Sequence, residues 1–425
     1  MTRGADKRSS GGALRRGVIE RIRAEDADAA VRLARDAIRQ RPQTSEGWFY
    51  LSAGLGVAKD FSGAMRAAAH AAKIGVWFRR PAPREGALRV LVAVSLENEW
   101  VRLTRAGDPV FVNSNDMYRA LLGDAEIVQV VMSERMTARW VKKNLGEFDL
   151  LLNAVSAPER TPRDLEHVET LAAGLGIPVI NHPDRVRRSS RLGNTHRLGG
   201  HDSVVCPRTI GINLPGPGNR AAEAVRNSID EQGFEYPVLI RWPGFQSGRH
   251  LYRCDKANDV DALQWPEGLR QVLVSEYIDY AGGDGVYRKA RAFIIGDGLY
   301  PRHLLMNDDW MVHAAGRRGT APLRRDAALR DESLAFTDDM DSWLPHDVHA
   351  GLEGIRDTLG LDFCGIDFSV LPDGRLLLFE ANPIMNIYMD PSSLPDQWAR
   401  DLVDRIEPAV ERITHAIRHL TAHKA

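Results

Sequence analysis

The chain has 425 residues, an ordinary apolar share of 44% and a formal net charge of −1. That length allows two or three domains with cores of their own, and the balanced charge gives no pull toward nucleic acid or a membrane surface. The three cysteines, Cys206, Cys254 and Cys364, form no CxxC pair. They argue against zinc and a disulfide framework and for a reducing compartment. No apolar run approaches the length of a membrane span.

Residues 1–16 are basic and Gly/Ser-rich, without the apolar core of a signal peptide. They are expected to be a disordered lead-in to a cytoplasmic protein. From 17 to about 80 the pattern is helical and repeats: Ala30 and Ala37 recur as Ala64 and Ala71, a shift of 34 residues. Pro42 closes the first unit, and Trp48, Leu51 and Leu55 open the second at helical spacing. This looks like tetratricopeptide repeats, whose small residues let paired helices approach closely. So few repeats are expected to pack on the next domain or on a second subunit. Residues 76–87 read as a linker.

Between 88 and 190 strand and helix alternate. Strands are expected at 88–95, 109–113, 126–132, 148–155 and 177–181, with helices near 116–122, 134–144 and 163–174, which argues for a parallel sheet with helices on its faces. Ligands collect at the carboxyl ends of such strands. That makes Glu97, Asn98, Glu99 and the stretch from Asn153 to Glu159 weak candidates for substrate contacts. Residues 184–200, rich in Arg and Gly, read as a hinge. Strand returns at 204–212.

A strand ending in Arg241 leads into a loop containing Gly244, Ser247, Gly248 and Arg249. Glycines there let backbone N–H groups close over phosphate oxygens, and Arg241 or Arg249 supplies charge. A further strand runs from 271 into Glu276, Tyr277, Ile278 and Asp279. Residues 287–305 form a hairpin turning at Gly296-Asp297-Gly298, with Lys289 and Arg291 on one strand face. His303, Asn307, Trp310 and Arg317 follow and are candidates for an acceptor pocket. Leucine and isoleucine at helical spacing mark a final packing helix at about 398–419.

The most specific stretch is LDFCGIDFSVLPDGRLLLFEANP, Leu361 to Pro383. Two apolar runs flank Pro372-Asp373-Gly374-Arg375, a strong hairpin signal. A two-residue Asp373-Gly374 turn, or a four-residue loop from Pro372 to Arg375, sets Asp367 opposite Glu380 and Gly365 opposite Asn382. Facing carboxylates repel. A hard cation between them removes the problem, and two carboxylates plus an amide oxygen suit magnesium.

Together these stretches resemble the ATP-grasp superfamily, the fold of D-alanine–D-alanine ligase and glutathione synthetase, over roughly residues 88–415. The resemblance implies an α/β fold class: a parallel-sheet preparatory domain at 88–190 and an ATP-grasp domain at 191–425, preceded by the helical segment at 17–80. It implies magnesium on Asp367, Glu380 and Asn382, bridging the phosphates of ATP. Backbone groups at Glu276, Tyr277 and Ile278 would meet adenine. Arg291 would face the γ-phosphate and the acyl phosphate it becomes. Arg241 and Lys289, with the loop of Gly244, Ser247 and Gly248, would contact phosphates, and Asp279 or Asp284 the ribose. Where the family commonly presents lysines to the phosphates, this chain has Arg241 and, near the second position, His196 or Arg197.

The implied activity is an ADP-forming ligase joining a small-molecule or peptide carboxylate to an amine or thiol acceptor. Alternatives are a small-molecule kinase on the same fold and a helical-repeat scaffold with an inactive grasp domain. A homodimer or a protein partner is expected through the repeats, with no nucleic acid and no membrane. No Ser-His-Asp or Cys-His arrangement stands out, and none of the thirteen histidines falls in an HExxH pattern.

Overall fold

The computed structural model describes residues 7–82, 84–104, 106–243, 248–313, 321–388 and 403–425, and for 7–11 the backbone alone. By internal packing the chain divides into two compact units. One comprises 1–187, 383–386 and 417–425, the other 188–382 and 387–416.

The first unit opens with four helices, α1 (Lys7–Arg23), α2 (Ala27–Gln40), α3 (Ser45–Val57) and α4 (Phe61–Ile74). Residues 7–16, expected as an irregular lead-in, belong to α1. The 34-residue period is structural. Asp26 caps α2 by accepting from the Ala29 N–H, and Asp60 caps α4 by accepting from the Gly63 N–H. The residues before the caps, Glu25 and Lys59, both sit in the left-handed region, at φ 58° and 63°. Ala30, Ala34, Ala64 and Ala68 are fully buried, so the helices approach without side-chain bulk between them. Ser52 of α3 accepts from the N–H of Val101, which ties the helices to the sheet that follows.

That sheet has the order β1-β5-β2-β6-β7, built from β1 (Trp77–Arg80), β2 (Arg89–Val94), β5 (Glu126–Val131), β6 (Leu150–Asn153) and β7 (Val179–Ile180). β2, β5, β6 and β7 run parallel, and β1 joins the edge antiparallel to β5. The central strands are apolar throughout because both faces are covered. Helices α5 (Ala138–Leu145) and α6 (Pro162–Leu175) supply crossovers. Two expectations are corrected. The linker at 76–87 contains β1. Residues 109–113 do not join the parallel sheet: β3 (Arg102–Leu103) and β4 (Pro109–Val110) form a separate short ribbon. The segment near 116–122 is a single 3-10 stretch, Met117–Leu121.

The expected hinge at 184–200 is helical, α7 (Pro183–Arg188) and α8 (Arg191–Leu198), with Ser190 capping α8 through the Gly193 N–H. These short helices carry too few apolar residues to show a periodic stripe. Next come β8 (Val204–Val205) and a four-stranded antiparallel sheet, β11-β10-β12-β9: β9 (Thr209–Asn213), β10 (Val238–Arg241), β11 (Leu251–Cys254) and β12 (Gln271–Glu276). Helices α9 (Asn219–Glu231) and α10 (Ala257–Asp261) bury Val225, Ile229 and Val260 against Val238, Ile240, Val272 and Val274.

The last sheet, β14-β13-β15-β16-β8, contains β13 (Tyr287–Ile295), β14 (Gly298–Asn307), β15 (Phe363–Val370) and β16 (Leu376–Asn382). Helices α11 (Ala321–Arg325), α12 (Ala327–Asp338), α13 (Met340–Trp343) and α14 (His346–Leu359) lie between β14 and β15 in the chain, and α15 (Glu407–Lys424) ends it. Gly351 of α14 lies where a Cβ would come within 3.2–3.4 Å of Ser203, Val204 and Leu376, so the helix packs closely on β8 and β16. The fold is α/β, with a mainly parallel sheet first, then a four-stranded antiparallel sheet, then a five-stranded sheet that includes the acidic hairpin.

Candidate active site

One row of side chains crosses four adjacent strands. The register sets His303 of β14 against Arg291 of β13, Arg291 against Asp367 of β15, and Asp367 against Glu380 of β16. Lys289 lies two residues along β13 on the same face. The Arg291 Nε and Nη2 donate to the two Asp367 oxygens at 2.6 and 2.9 Å, and the Lys289 Nζ reaches Asp367 at 2.7 Å. The Asp367 side chain is 2% exposed. Burial alone would raise its pKa, but Arg291 and Lys289 overcome that and hold it far below the usual carboxylate range.

Glu380 is more open, with its side chain 25% exposed. It accepts from Arg191 at the start of α8 and from the Asn382 amide. Burial works against its charge, but Arg191 and Arg241 lower its pKa on balance. Burial and the nearby Arg191 pull Arg241 down to about 9, which leaves it a cation at neutral pH. Asn194 of α8 donates to the Ala381 carbonyl, which fixes the helix over the end of β16.

Two neutral imidazoles complete the cluster. Burial, with Arg291 and Arg302 nearby, pushes His303 well below its ordinary value. Burial and Lys289 bring His313 to about 4. His313 leaves no room for a Cβ on Gly248, whose φ of +66° also favours glycine. Gly248 is thereby held against His313 and Met311. Gly244 and Ser247, like Arg317, lie outside the described residues.

The hairpin pairs Asp367 with Glu380 by a different route from the expected one. Val370 faces Leu376, and the Gly374 N–H donates to the Leu371 carbonyl, so the loop is Pro372-Asp373-Gly374 with Gly374 at φ +85°. That three-residue loop shifts the register by one. A bulge at Phe379 shifts it back, so that Asp367 meets Glu380 and Gly365 meets Asn382. The argument that only a metal makes the facing carboxylates tolerable does not hold either. Arg291 and Lys289 compensate one, and Arg191 and Arg241 the other.

Of the remaining candidates, Glu276 is bridged to Arg208, the two side chains meeting at 3.1 Å. The ring of Tyr277 lies 4.1 Å from the Arg253 guanidinium and meets Trp310 edge-on at 6.0 Å. Ile278 packs beside Tyr280, Leu305 and Leu377. Asp279 accepts from the Ala281 N–H and the Tyr277 hydroxyl. Asp284 is held by Arg288, which lowers it to about 2. Asn307 donates to the Met311 carbonyl. Sequence reasoning missed Arg191. Of the segment 184–200 it favoured His196 and Arg197, but His196 is exposed and Arg197 donates to the Thr358 carbonyl. The one available signal for Arg191 was its place just after Ser190, a good helix N-cap.

Asp367, Glu380 and Asn382 offer two ionised carboxylates and an amide, a donor set that fits a hard divalent cation. Among the described residues there is no group of three or more His, Cys, Asp or Glu that could hold a metal ion.

No protein-family model matches the chain, and no curated protein matches it significantly. Among solved structures, it is similar to a RimK domain ATP-grasp protein from Sphaerobacter thermophilus, at 18% identity and a TM-score of 0.41, covering 77% of this chain and 99% of that one. It is similar to the VanG D-Ala:D-Ser ligase from Enterococcus faecalis at 12% identity and 0.42, covering 76% and 99%. It is also similar to the ATP-grasp ligase PsnB, solved with precursor peptide PsnA2 and AMPPNP, at 13% identity and 0.39, covering 76% and 98%.

Proposed function

We propose that this chain is an ATP-dependent, ADP-forming ligase that activates a carboxylate as its acyl phosphate and joins it to an amine or thiol. The observation that carries this reading is the row Arg291–Asp367–Glu380 across three strands, with Lys289, Arg191 and Arg241 converging on it. Transfer of a γ-phosphoryl group calls for positioning and neutralisation of charge more than for a covalent nucleophile. Four cations on strands and a helix supply that neutralisation without large rearrangement.

Arg291 is the residue assigned to the transferring phosphoryl group. Its guanidinium is oriented by a bidentate bond to Asp367, so it presents its remaining N–H donors in a fixed direction. Lys289 and Arg241 take the other phosphate oxygens, with backbone groups of the loop ending at Gly248. The segment from Glu276 to Asp279 takes the nucleoside. Asp367, Glu380 and Asn382 hold magnesium, which when bound neutralises phosphate oxygens. His303 and His313, both neutral, add no further positive charge to the row. The helical hairpins at 17–80 serve self-association or contact with a protein partner, as tetratricopeptide-like units do.

The test is ADP release from ATP and magnesium across a panel of amino acids and short peptides. Glu380→Ala should abolish release while circular dichroism stays unchanged; full activity in that variant overturns the assignment. Hydroxylamine should trap the intermediate as a hydroxamate. A phosphorylated product that resists hydroxylamine would identify a kinase instead.

A further inference from the structure

The carboxyl end of α15 carries two imidazoles that the proposed ligase chemistry does not use. His419 and His423 stand four residues apart on the exposed face of the helix, so they are neighbours one turn along it. Their ring centroids lie 4.4 Å apart, with the planes at 61°. Among the described residues neither ring has a hydrogen bond or an ion pair, so their nitrogens are not committed to another group.

The backbone that carries them is firmly held. Ile417 is fully buried and Thr421 is 1% exposed, so the opposite face of the helix is packed. The Thr421 hydroxyl donates to the Ile417 carbonyl at 2.8 Å. Arg418 donates its Nε to the Ala120 carbonyl and meets Asp124, both at 2.8 Å. All of these residues belong to the first unit. With the helix fixed, the two imidazoles have only their own side-chain torsions to order when they grip a ligand together, which lowers the cost of binding.

An imidazole binds metal through an unprotonated ring nitrogen, and two of them one helical turn apart can share one ion. Nitrogen donors suit copper(II), nickel(II) and zinc, whereas magnesium and calcium ask for oxygen. Position on the helix adds to this. His423 lies in the last turn of α15, where unpaired carbonyls leave partial negative charge that favours a cation. Arg418, the cation next to His419 in the chain, is answered by Asp124. Among the described residues no third His, Cys, Asp or Glu joins the pair. Water or an external donor therefore fills the other positions, and the ion stays exchangeable.

We infer that His419 and His423 bind one divalent transition-metal ion of the copper, nickel and zinc class at the carboxyl end of α15. The site differs from Asp367, Glu380 and Asn382 in residues and in chemistry, nitrogen against oxygen. It needs neither ATP nor Glu380, so it stands apart from the ligase reading.

The probe is zinc chloride, titrated calorimetrically into the full-length protein in millimolar magnesium and without nucleotide. Saturable binding of one ion per chain is expected, and copper(II) should bind more tightly than zinc or nickel(II). His419→Ala and His423→Ala should each weaken zinc binding by about tenfold or more, since even an outer partner of a metal site is worth that much. Both side chains are exposed, so circular dichroism should not change. His415→Ala, one turn earlier and without ring contact to His419, should keep the original affinity, and so should Glu380→Ala. No saturable binding, displacement by magnesium, unchanged affinity in His419→Ala or His423→Ala, or an equal loss in His415→Ala or Glu380→Ala would each overturn the proposal.

Discussion

Two buried aspartates, one in each unit, show how differently the chain handles charge. Asp164, on α6 in the first unit, accepts from the Ser95 hydroxyl at 2.5 Å and sits 3.7 Å from His167. It belongs to a polar layer at the carboxyl ends of the parallel strands, where Asn113, Asn153 and Asn181 are also buried. Those groups are mostly uncharged and close on one another: Asn153 donates to the Asn181 carbonyl and Asn113 to the Glu97 carbonyl. Asp367, in the second unit, is compensated by two full cations and faces a second carboxylate. The first arrangement is local and self-contained. The second holds an excess of positive charge in a fixed geometry, with Arg291, Lys289, Arg191 and Arg241 set around Asp367 and Glu380. The two carboxylates are buried alike and differ in the charge of their partners.

The contrast can be broken at several points. The largest effect is expected on turnover. Glu380→Ala and Asp367→Asn should each reduce ADP release by about 1,000-fold or more, whereas Asp164→Asn should change it by less than about tenfold. A comparable loss in Asp164→Asn would erase the distinction. Arg291→Lys keeps the charge but loses the fork, and a fall of about 100-fold is expected in kcat with KM little changed.

Stability should separate the two sites as well. Asp367→Ala leaves Arg291 and Lys289 without their anion and should cost about 3–5 kcal/mol in urea unfolding. Ser95→Ala, which removes a neutral donor, should cost about 1–3 kcal/mol. The pH dependence should differ in sign. Asp367 is depressed, so its contribution is complete above about pH 4 and lost as pH falls through its folded value. His167 is raised, chiefly by the nearby Asp164 carboxylate, so its smaller contribution is complete below about pH 6.5 and lost as pH rises through its folded value. Asp164→Asn should flatten the alkaline side only, as read from thermal midpoints between pH 5 and 9.

Much of this was legible in residue order. The long apolar strands, the 34-residue period and the acidic hairpin all follow from spacing, because each is a local pattern. The hairpin is instructive in its details. An assumed turn and an unforeseen bulge at Phe379 differ from expectation by one residue each, in opposite senses, so the pairing of Asp367 with Glu380 survives. Bulges leave no sure mark in an apolar run. β1 was hidden because WFRR has no apolar alternation to distinguish it from a linker, and its identity as a strand comes from β5. Arg191 was hidden because its partner lies 189 residues away. A basic, Gly-rich segment looks mobile until that partner is known.

The duplicated helical hairpin has a consequence for how this part of the chain can be altered. Cap, left-handed residue and buried alanines recur together at a spacing of 34 residues, so a block of that size is a transposable cassette. A chain carrying a third copy spliced in after Gln40 would meet each neighbour with matching contours, and the stack would lengthen in phase. An insertion of any other size would present its bulky side chains to the seam where alanine now stands.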